Sequence, residues 1–142
     1  MPTQNLKNHA QYVKGFHGLL FILLLLILGG SISYLIHADK EQLYPATLMV
    51  LMAVTLFVMT WYIRIFPLRA QDRAIRAEER LRYYILTQQA LPESLRISQI
   101  IALRFASDAE FPALVERAVN EGLSAKTIKE AIQNWKGDYY RV

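Results

Sequence analysis

The chain has 142 residues, of which 54% are hydrophobic, and its formal net charge is +4. It contains no cysteine, which excludes disulfides, thiolate metal sites and cysteine nucleophiles. The hydrophobic residues are concentrated before residue 67 and nearly all the charged residues follow it. A modest basic balance of this kind is accounted for by the charge bias of the cytoplasmic side of a membrane protein, and does not require a nucleic-acid partner.

Two long uncharged stretches predict a pair of membrane-spanning helices. Residues 15–36 (GFHGLLFILLLLILGGSISYLI) and 43–63 (LYPATLMVLMAVTLFVMTWYI) contain no Asp, Glu, Lys or Arg. A spanning helix needs about 20 apolar residues, and both stretches reach that length. Because only residues 37–42 (HADKEQ) connect them, we expect an antiparallel transmembrane hairpin over residues 15–66.

The basic residues near the ends of the spans predict the topology. Lysines precede the first span, whereas the connecting loop has a single lysine between two acids. The second span is followed by Arg64, Arg69, Arg73 and Arg76. Since basic residues stay on the cytoplasmic side, both termini are expected there, including an N-terminal arm of residues 1–14.

A signal peptide is an alternative interpretation of the first apolar stretch. Lys7 and Lys14 would form its basic region, and Ser31 and Ser33 resemble a cleavage site between small residues. The apolar run is long for a signal peptide, which favours the hairpin. The C-terminal part stays cytoplasmic in either interpretation.

Small residues in the first span are candidates for helix packing in the membrane. Gly29 and Ser33 form a small-xxx-small pair, with Gly30 beside them, and such residues let helix backbones approach closely. Three partners remain open: the second span, another copy of the chain, or a different membrane protein. His17 and His37 lie about 30 Å apart at opposite ends of the span, so within one chain they cannot share a metal or a haem.

An arginine-rich stretch after the second span predicts a juxtamembrane helix over residues 67–90. Pro67 is expected to break or kink the helix at its start. Four arginines recur at spacings of four, three and four residues and so occupy one narrow stripe: Arg69, Arg73, Arg76 and Arg80. The stripe is a candidate contact for anionic lipid headgroups, and it is equally typical of a solvated helix face.

Two further patterns accompany the arginine stripe on the same predicted helix. A neighbouring face is formed by Ala70, Ala74, Ala77, Leu81 and Tyr84. Two pairs have the i,i+4 spacing of a favourable ion pair on a helix surface: Asp72 with Arg76, and Glu78 with Arg82.

Residues 91–142 predict a small cytoplasmic helical domain. Ser98 is expected to cap a helix that starts at Gln99. Ser107 and Glu110 have the spacing of a capping box for the next helix, whose first turn would contain Pro112.

The end of the domain predicts one more helix. Gly122 is the expected stop of the preceding helix, and Ser124 is the expected N-cap of the last one. The inward stripe of that last helix is expected to comprise Ile128, Ala131, Ile132 and Trp135. Residues 137–142 are expected to be irregular.

Catalysis is not expected from these residues. The C-terminal cytoplasmic part, residues 67–142, contains no His, no glycine-rich phosphate loop and no paired metal-ligand motif, so we predict no catalytic, metal or cofactor-binding residues and no small-molecule substrate. Its acids alternate with Lys and Arg at the spacing of a solvated helix surface. Residues 120–135 have the outline of a helix-turn-helix, but the exposed face of the second helix is mixed in charge, which disfavours nucleic-acid binding.

Several blocks of the sequence resemble a family of uncharacterised small bacterial membrane proteins. These blocks are TQNLKNHAQYV, LRYYILTQQAL, QIIALRFASDAEFPALVERAV and IKEAIQNWKGDYYRV, and the C-terminal ones are the more specific. The resemblance covers almost the whole chain. It implies two spans and a cytoplasmic helical tail in the bacterial inner membrane, and it supplies no activity, ligand or catalytic residue.

The sequence therefore predicts an all-α membrane protein: a two-helix transmembrane hairpin, a juxtamembrane helix and a small cytoplasmic helical domain. The expected location is the bacterial inner membrane, as a multi-pass protein. The expected role is that of a non-catalytic accessory or scaffolding subunit that contacts membrane lipids and either a protein partner or a second copy of the chain. A membrane-tethered DNA-binding regulator is the alternative.

Overall fold

All the regular secondary structure that the computed structural model describes is helical, apart from one isolated β-bridge; the described residues are Asn5 and 15–138. The helices are α1 (Phe21–Ile36), α2 (Leu43–Thr87), α3 (Ile97–Leu103), α4 (Phe111–Asn120) and α5 (Ala125–Ala131), and a π-helical segment, Gly15–Leu20, leads into α1. The chain divides into two compact units, one ending at Pro67 and the other containing the chain from Leu68 onward. The predicted N-terminal arm lies outside the described residues, except for Asn5.

The two apolar stretches are helical and face outward. Gly15–Ile36 and the N-terminal part of α2 are each long and apolar enough to cross a membrane. In both, only 11% of the most apolar window is buried. A core helix of a soluble protein of the same composition would be largely buried. The helices therefore present most of their large apolar side chains to the surroundings.

Four buried residues mark the covered faces of the helices in this first unit. Leu24 and Ser31 are buried on α1, and Ala46 and Ala53 are buried on α2. Each pair is seven residues apart, so it lies on one face of its helix. The Ser31 hydroxyl donates to the carbonyl of Leu28 at 2.9 Å, which satisfies its polar group inside the helix. Alanine on α2 allows another helix to approach its backbone closely.

α2 continues through Pro67, so of the two expectations for this proline, a break or a kink, the break is wrong. The predicted juxtamembrane helix is the C-terminal part of α2, which ends at Thr87. A proline inside a helix removes one hydrogen bond and crowds the preceding turn, at a cost of about 3 kcal/mol. The residues that follow Pro67 are rich in alanine, arginine and glutamate, which are strong helix formers and favour continuation.

The second unit has its own hydrophobic core, which combines α3, α4 and α5 with the C-terminal turns of α2. The largest fully buried side chains are Ile100, Leu103, Phe105, Phe111, Val115 and Ile128. Tyr83 of α2 is 4% exposed, and its ring meets that of Phe111 edge-on at 6.0 Å. The end of α2 is therefore an integral part of this core.

α3 starts at Ile97, and the prediction that Ser98 caps it is wrong. The side chain of Gln99 performs the capping instead, because its Oε1 accepts the N–H of Arg96 at 2.8 Å. The same amide donates through Nε2 to the carbonyl of Leu123 at 2.8 Å. Buried Gln99 thus joins the start of α3 to the turn before α5, a contact that local spacing does not indicate.

The predicted signals at the turn between α4 and α5 are confirmed. Gly122 has a φ of +62°, the left-handed conformation that favours glycine. The N–H of Leu123 donates to the carbonyl of Ala118 at 3.2 Å, as in a Schellman C-cap. The Ser124 hydroxyl accepts the N–H of Thr127 at 3.1 Å and so caps α5.

α5 ends at Ala131, so the predicted helix through Trp135 is too long. The carboxylate of Glu110 accepts the N–H groups of Gln133 at 3.1 Å and Asn134 at 3.0 Å. In a continued helix these two N–H groups would donate to carbonyls four residues earlier. The Glu110 carboxylate therefore replaces the last turn of the helix.

The chain after α5 is extended and pairs with the segment after α3. The N–H of Ser107 donates to the carbonyl of Asn134 at 3.0 Å, and the N–H of Lys136 donates to that of Phe105 at 2.7 Å. The Trp135 ring lies 5.2 Å from the Phe105 ring, between ring centres. Trp135 is thus turned toward the core as predicted, although it is not on a helix.

The predicted pairing of Ser107 with Glu110 is confirmed in part. The Glu110 carboxylate accepts both the N–H of Ser107, at 3.2 Å, and its hydroxyl, at 3.3 Å. Burial raises the pKa of Glu110, but the N–H groups of Gln133, Ser107 and Asn134 outweigh it and hold that pKa below its ordinary value. The ionised carboxylate is the form that the fold stabilises.

Glu110→Gln is expected to loosen the segment that contains Trp135, because a neutral amide cannot accept four hydrogen bonds as a carboxylate does. We expect a loss of about 1–2 kcal/mol of stability in this segment. Since the folded pKa is lowered, the contribution of Glu110 is fully present above its ordinary pKa and is lost as the pH falls through the lowered one. Trp135 emission in a Trp61→Phe background should show an acid transition that Glu110→Gln removes and that Glu116→Gln, on the exposed side of α4, retains. An unchanged transition in Glu110→Gln would count against this role.

Candidate interaction surface

The part of α2 in the second unit turns one face toward the domain. Ile75, Glu79 and Tyr83 are at most 8% exposed, and they follow one another at four-residue spacing. A spacing of four residues keeps side chains on one side of a helix. This inward face determines which side chains of α2 remain available at the surface.

Arg82 forms the principal polar contact of this inward face. Its Nε donates to a carboxylate oxygen of Asp108 at 2.7 Å, and its Nη1 donates to Glu79 at 3.0 Å. Its Nη2 donates to the carbonyl of Ala106 at 2.6 Å. The guanidinium also lies 4.2 Å from the centre of the Phe111 ring. One side chain thereby joins α2 to the loop between α3 and α4.

The predicted ion pair between Glu78 and Arg82 is wrong, because Arg82 points to the domain and pairs with Glu79. Its hydrogen bond to Asp108 lowers the pKa of that carboxyl below its ordinary value. Sequence reasoning missed Arg82 because i,i+4 spacing to an acid is typical of exposed pairs. One signal was present: Arg82 falls outside the stripe of the other four arginines.

That stripe of four arginines is exposed, as the sequence indicates. Arg69, Arg73, Arg76 and Arg80 all lie on the surface of α2. None of them forms an ion pair with another residue in the part of the chain that the structure describes. Their guanidinium groups are available to an anionic partner.

The predicted packing residues of the first span also face outward. Gly29, Gly30 and Ser33 are exposed, and a Cβ added at either glycine would meet nothing within 4 Å. Gly30 does line a shallow groove of about 280 Å³ together with Ala53 of α2. The buried positions on this helix are Leu24 and Ser31, so Gly29 and Ser33 are not on its covered face.

A second apolar surface lies on the outward side of α2 near its C-terminal end. Leu81 is 59% exposed, Tyr84 51% and Ile85 63%. Leu81 and Ile85 line a groove of about 360 Å³, whose polar edge is formed by Glu78, Arg82, Asp108 and Lys136. Exposed apolar side chains that are contiguous commonly mark a binding surface.

No group of three His, Asp or Glu residues in the described part of the chain is arranged to hold a metal.

Arg82→Met is expected to destabilise the domain by about 3–5 kcal/mol, because it leaves the buried Glu79 carboxylate without its partner. The double variant Glu79→Gln/Arg82→Met should recover part of that loss. Hydrogen exchange of peptides from α3 to α5, measured on the full chain in detergent, would report the change.

Arg117→Met is the matched control for Arg82→Met. Arg117 pairs with Glu121 at 3.2 Å, but the two side chains are 53% and 50% exposed. Such a pair contributes about 0–1 kcal/mol. Equal exchange in Arg82→Met and Arg117→Met would contradict the role of Arg82 in joining α2 to the domain.

Comparison with known proteins places the chain in a family without a described activity. A family model described as a family of unknown function (DUF6526) matches residues 1–142. No curated protein and no solved structure matches the chain. Since the match covers the full length, the chain belongs to the family of unknown function DUF6526.

Proposed function

We propose that the protein is a non-catalytic interaction subunit of the bacterial inner membrane, anchored by a helical hairpin and carrying a small cytoplasmic helical domain. The observation that supports this most is the outward-facing apolar surface of the first unit, where only 11% of each apolar window is buried. Exposing that much apolar surface to water would cost free energy, at about 25 cal/mol per Å². Insertion of these helices in a lipid bilayer removes this cost.

The distribution of basic residues supports a topology with both termini in the cytoplasm. Lys40 is the only Lys or Arg in the connection between the helices, residues 37–42, whereas Arg64 and Arg69 follow the apolar part of α2. Lys and Arg near the ends of spans are retained on the cytoplasmic side.

An interaction role is supported by how the domain uses its polar groups. Arg82, Gln99 and Glu110 all form hydrogen bonds that hold the fold together. The outward apolar side chains of α2, by contrast, are more than half exposed at Leu81, Tyr84 and Ile85. The protein would therefore recognise its partner through the surface of α2.

The arginine stripe would contact lipid headgroups most strongly at its membrane end. Measured along α2 from Ile63, Arg69 follows after about 9 Å and Arg80 after about 25 Å. Attraction to an anionic surface falls off within a Debye length of about 8 Å at physiological salt.

We expect Arg69→Gln to reduce retention of anionic lipid in nanodiscs, and Arg80→Gln to leave it unchanged. Equal effects of the two variants would argue against this gradient.

Nucleic-acid binding is the alternative function, and the structure of α5 gives it little support. α5 spans only Ala125–Ala131, which is short for a recognition helix. On its exposed side, Lys126 pairs with Glu130 at 3.9 Å, so the surface is mixed in charge. A salt-dependent affinity for duplex DNA would favour this alternative.

Cysteine labelling of the full chain tests the anchor and its topology, because the natural sequence has no cysteine. The protein should stay in the membrane after alkaline carbonate extraction. A cysteine at Asp39 should react with a membrane-impermeant maleimide in intact cells. A cysteine at Ala113 should react only after the membrane is permeabilised.

Extraction of the protein by carbonate would contradict the proposed membrane anchor. Labelling of Ala113→Cys in intact cells would show that the domain lies on the opposite side of the membrane from the one proposed. The mass of the purified chain distinguishes the signal-peptide alternative, since cleavage would remove the first span. A mild-detergent pull-down of the full chain would then identify partners that co-purify in fixed proportion. Recovery of the bare monomer would contradict a stable interaction role.

A further inference from the structure

The outward apolar surface of α2 has the spacing of a coiled-coil seam. Its large exposed residues, Leu81 and Tyr84, continue a pattern that runs back along the helix at alternating intervals of four and three residues. The members of the seam are Ala70, Ala74, Ala77, Leu81 and Tyr84, and all are exposed. Intervals of this kind keep side chains on one face when two helices wind around each other.

The domain leaves this seam open because it packs on the opposite side of α2. Ile75, Arg82 and Tyr83, which contact the domain, fall at the outer positions of the same heptads. A second helix can therefore approach the seam without displacing the contacts of Arg82.

The charges beside the seam are complementary to those of an identical helix. Arg73 directly precedes the seam residue Ala74, and Glu78 directly follows Ala77, so they occupy the flanking g and e positions. In a parallel pair, a residue at g lies opposite the e residue five positions later on the other helix. Within one helix, residues five apart point about 140° away from each other and cannot pair.

We propose that a second copy of the chain packs against this seam, parallel and in register. Ala74, Ala77 and Leu81 would meet their counterparts, and Arg73 of each copy would pair with the partner's Glu78. A two-fold interface uses the same patch on both copies, so the patch must carry both charges, as this one does.

This inference rests on the proposed membrane anchor, which supplies two of its conditions. Two copies inserted in one bilayer with the same topology present their α2 helices in parallel. The seam covers about two heptads, which is short for a coiled coil in solution. Confinement to the same membrane raises the effective concentration of the two helices and compensates for that short length.

Single-cysteine cross-linking of the full chain in isolated membranes tests the seam directly. Ala77→Cys should cross-link with a short bis-maleimide into a species of twice the 16.4 kDa chain mass. Ala113→Cys, at another exposed alanine on α4, is the matched control and should stay monomeric. Ala77 is the midpoint of the seam, so an antiparallel pair would also join its thiols, whereas Ala70→Cys at the end of the seam should cross-link only in a parallel pair.

Charge reversal tests the pairing that sets the register. In the Ala77→Cys background, Arg73→Glu or Glu78→Arg alone should abolish most of the cross-linking, because like charges then face each other. The double reversal should restore it. Co-expression of the two single reversals under different tags should give mixed dimers, since each copy then finds the opposite charge on its partner. Glu116→Arg, a charge reversal at an exposed position of α4, should leave the yield unchanged.

The outcomes separate this inference from the proposed function. If the chain resists carbonate extraction but Ala77→Cys gives no more dimer than Ala113→Cys, the proposed contact with a second copy is wrong and the proposed anchor stands. A cross-link to a different protein at Ala77 would also overturn it. Loss of the protein from the membrane fraction would overturn both proposals. A cross-linking yield that the charge reversals leave unchanged would contradict the assigned register.

Discussion

The contact of the Arg82 guanidinium with the domain is the constraint on which the second unit depends. It reaches two carboxylates, a backbone carbonyl and an aromatic ring in one place. A planar group with several fixed donors is suited to such a site, whereas a lysine would satisfy only part of it. Because Arg82 fixes the rotation of α2 against the domain, it also decides which residues of α2 face outward.

The features that depend on neighbouring residues could be predicted from the sequence. The two apolar helices follow from uninterrupted hydrophobic runs, and the turn at Gly122 follows from the conformational freedom of glycine. The exposure of the arginine stripe follows from helical periodicity. In each of these cases the determining physics acts within a few residues of the chain.

The features that depend on distant residues could not be predicted in the same way. Arg82 finds Asp108, and Glu110 finds Gln133, at sequence separations that no local pattern encodes. Charged residues are usually expected on the surface of a protein. Composition therefore does not reveal that Arg82 and Glu110 form hydrogen bonds within a small domain. Pro67 is a different case, because the strong helix formers directly after it outweigh its own tendency to break a helix.

Glu110 has a consequence for the order in which the domain assembles. It accepts hydrogen bonds from backbone N–H groups more than twenty residues later in the chain, so these contacts form only when α5 and the segment after it are in place. Docking of residues 125–138 then closes a long loop and is opposed by the entropy of that closure. Departure of this segment would remove Ile128 from the core and would uncover Phe105, whose ring packs against that of Trp135.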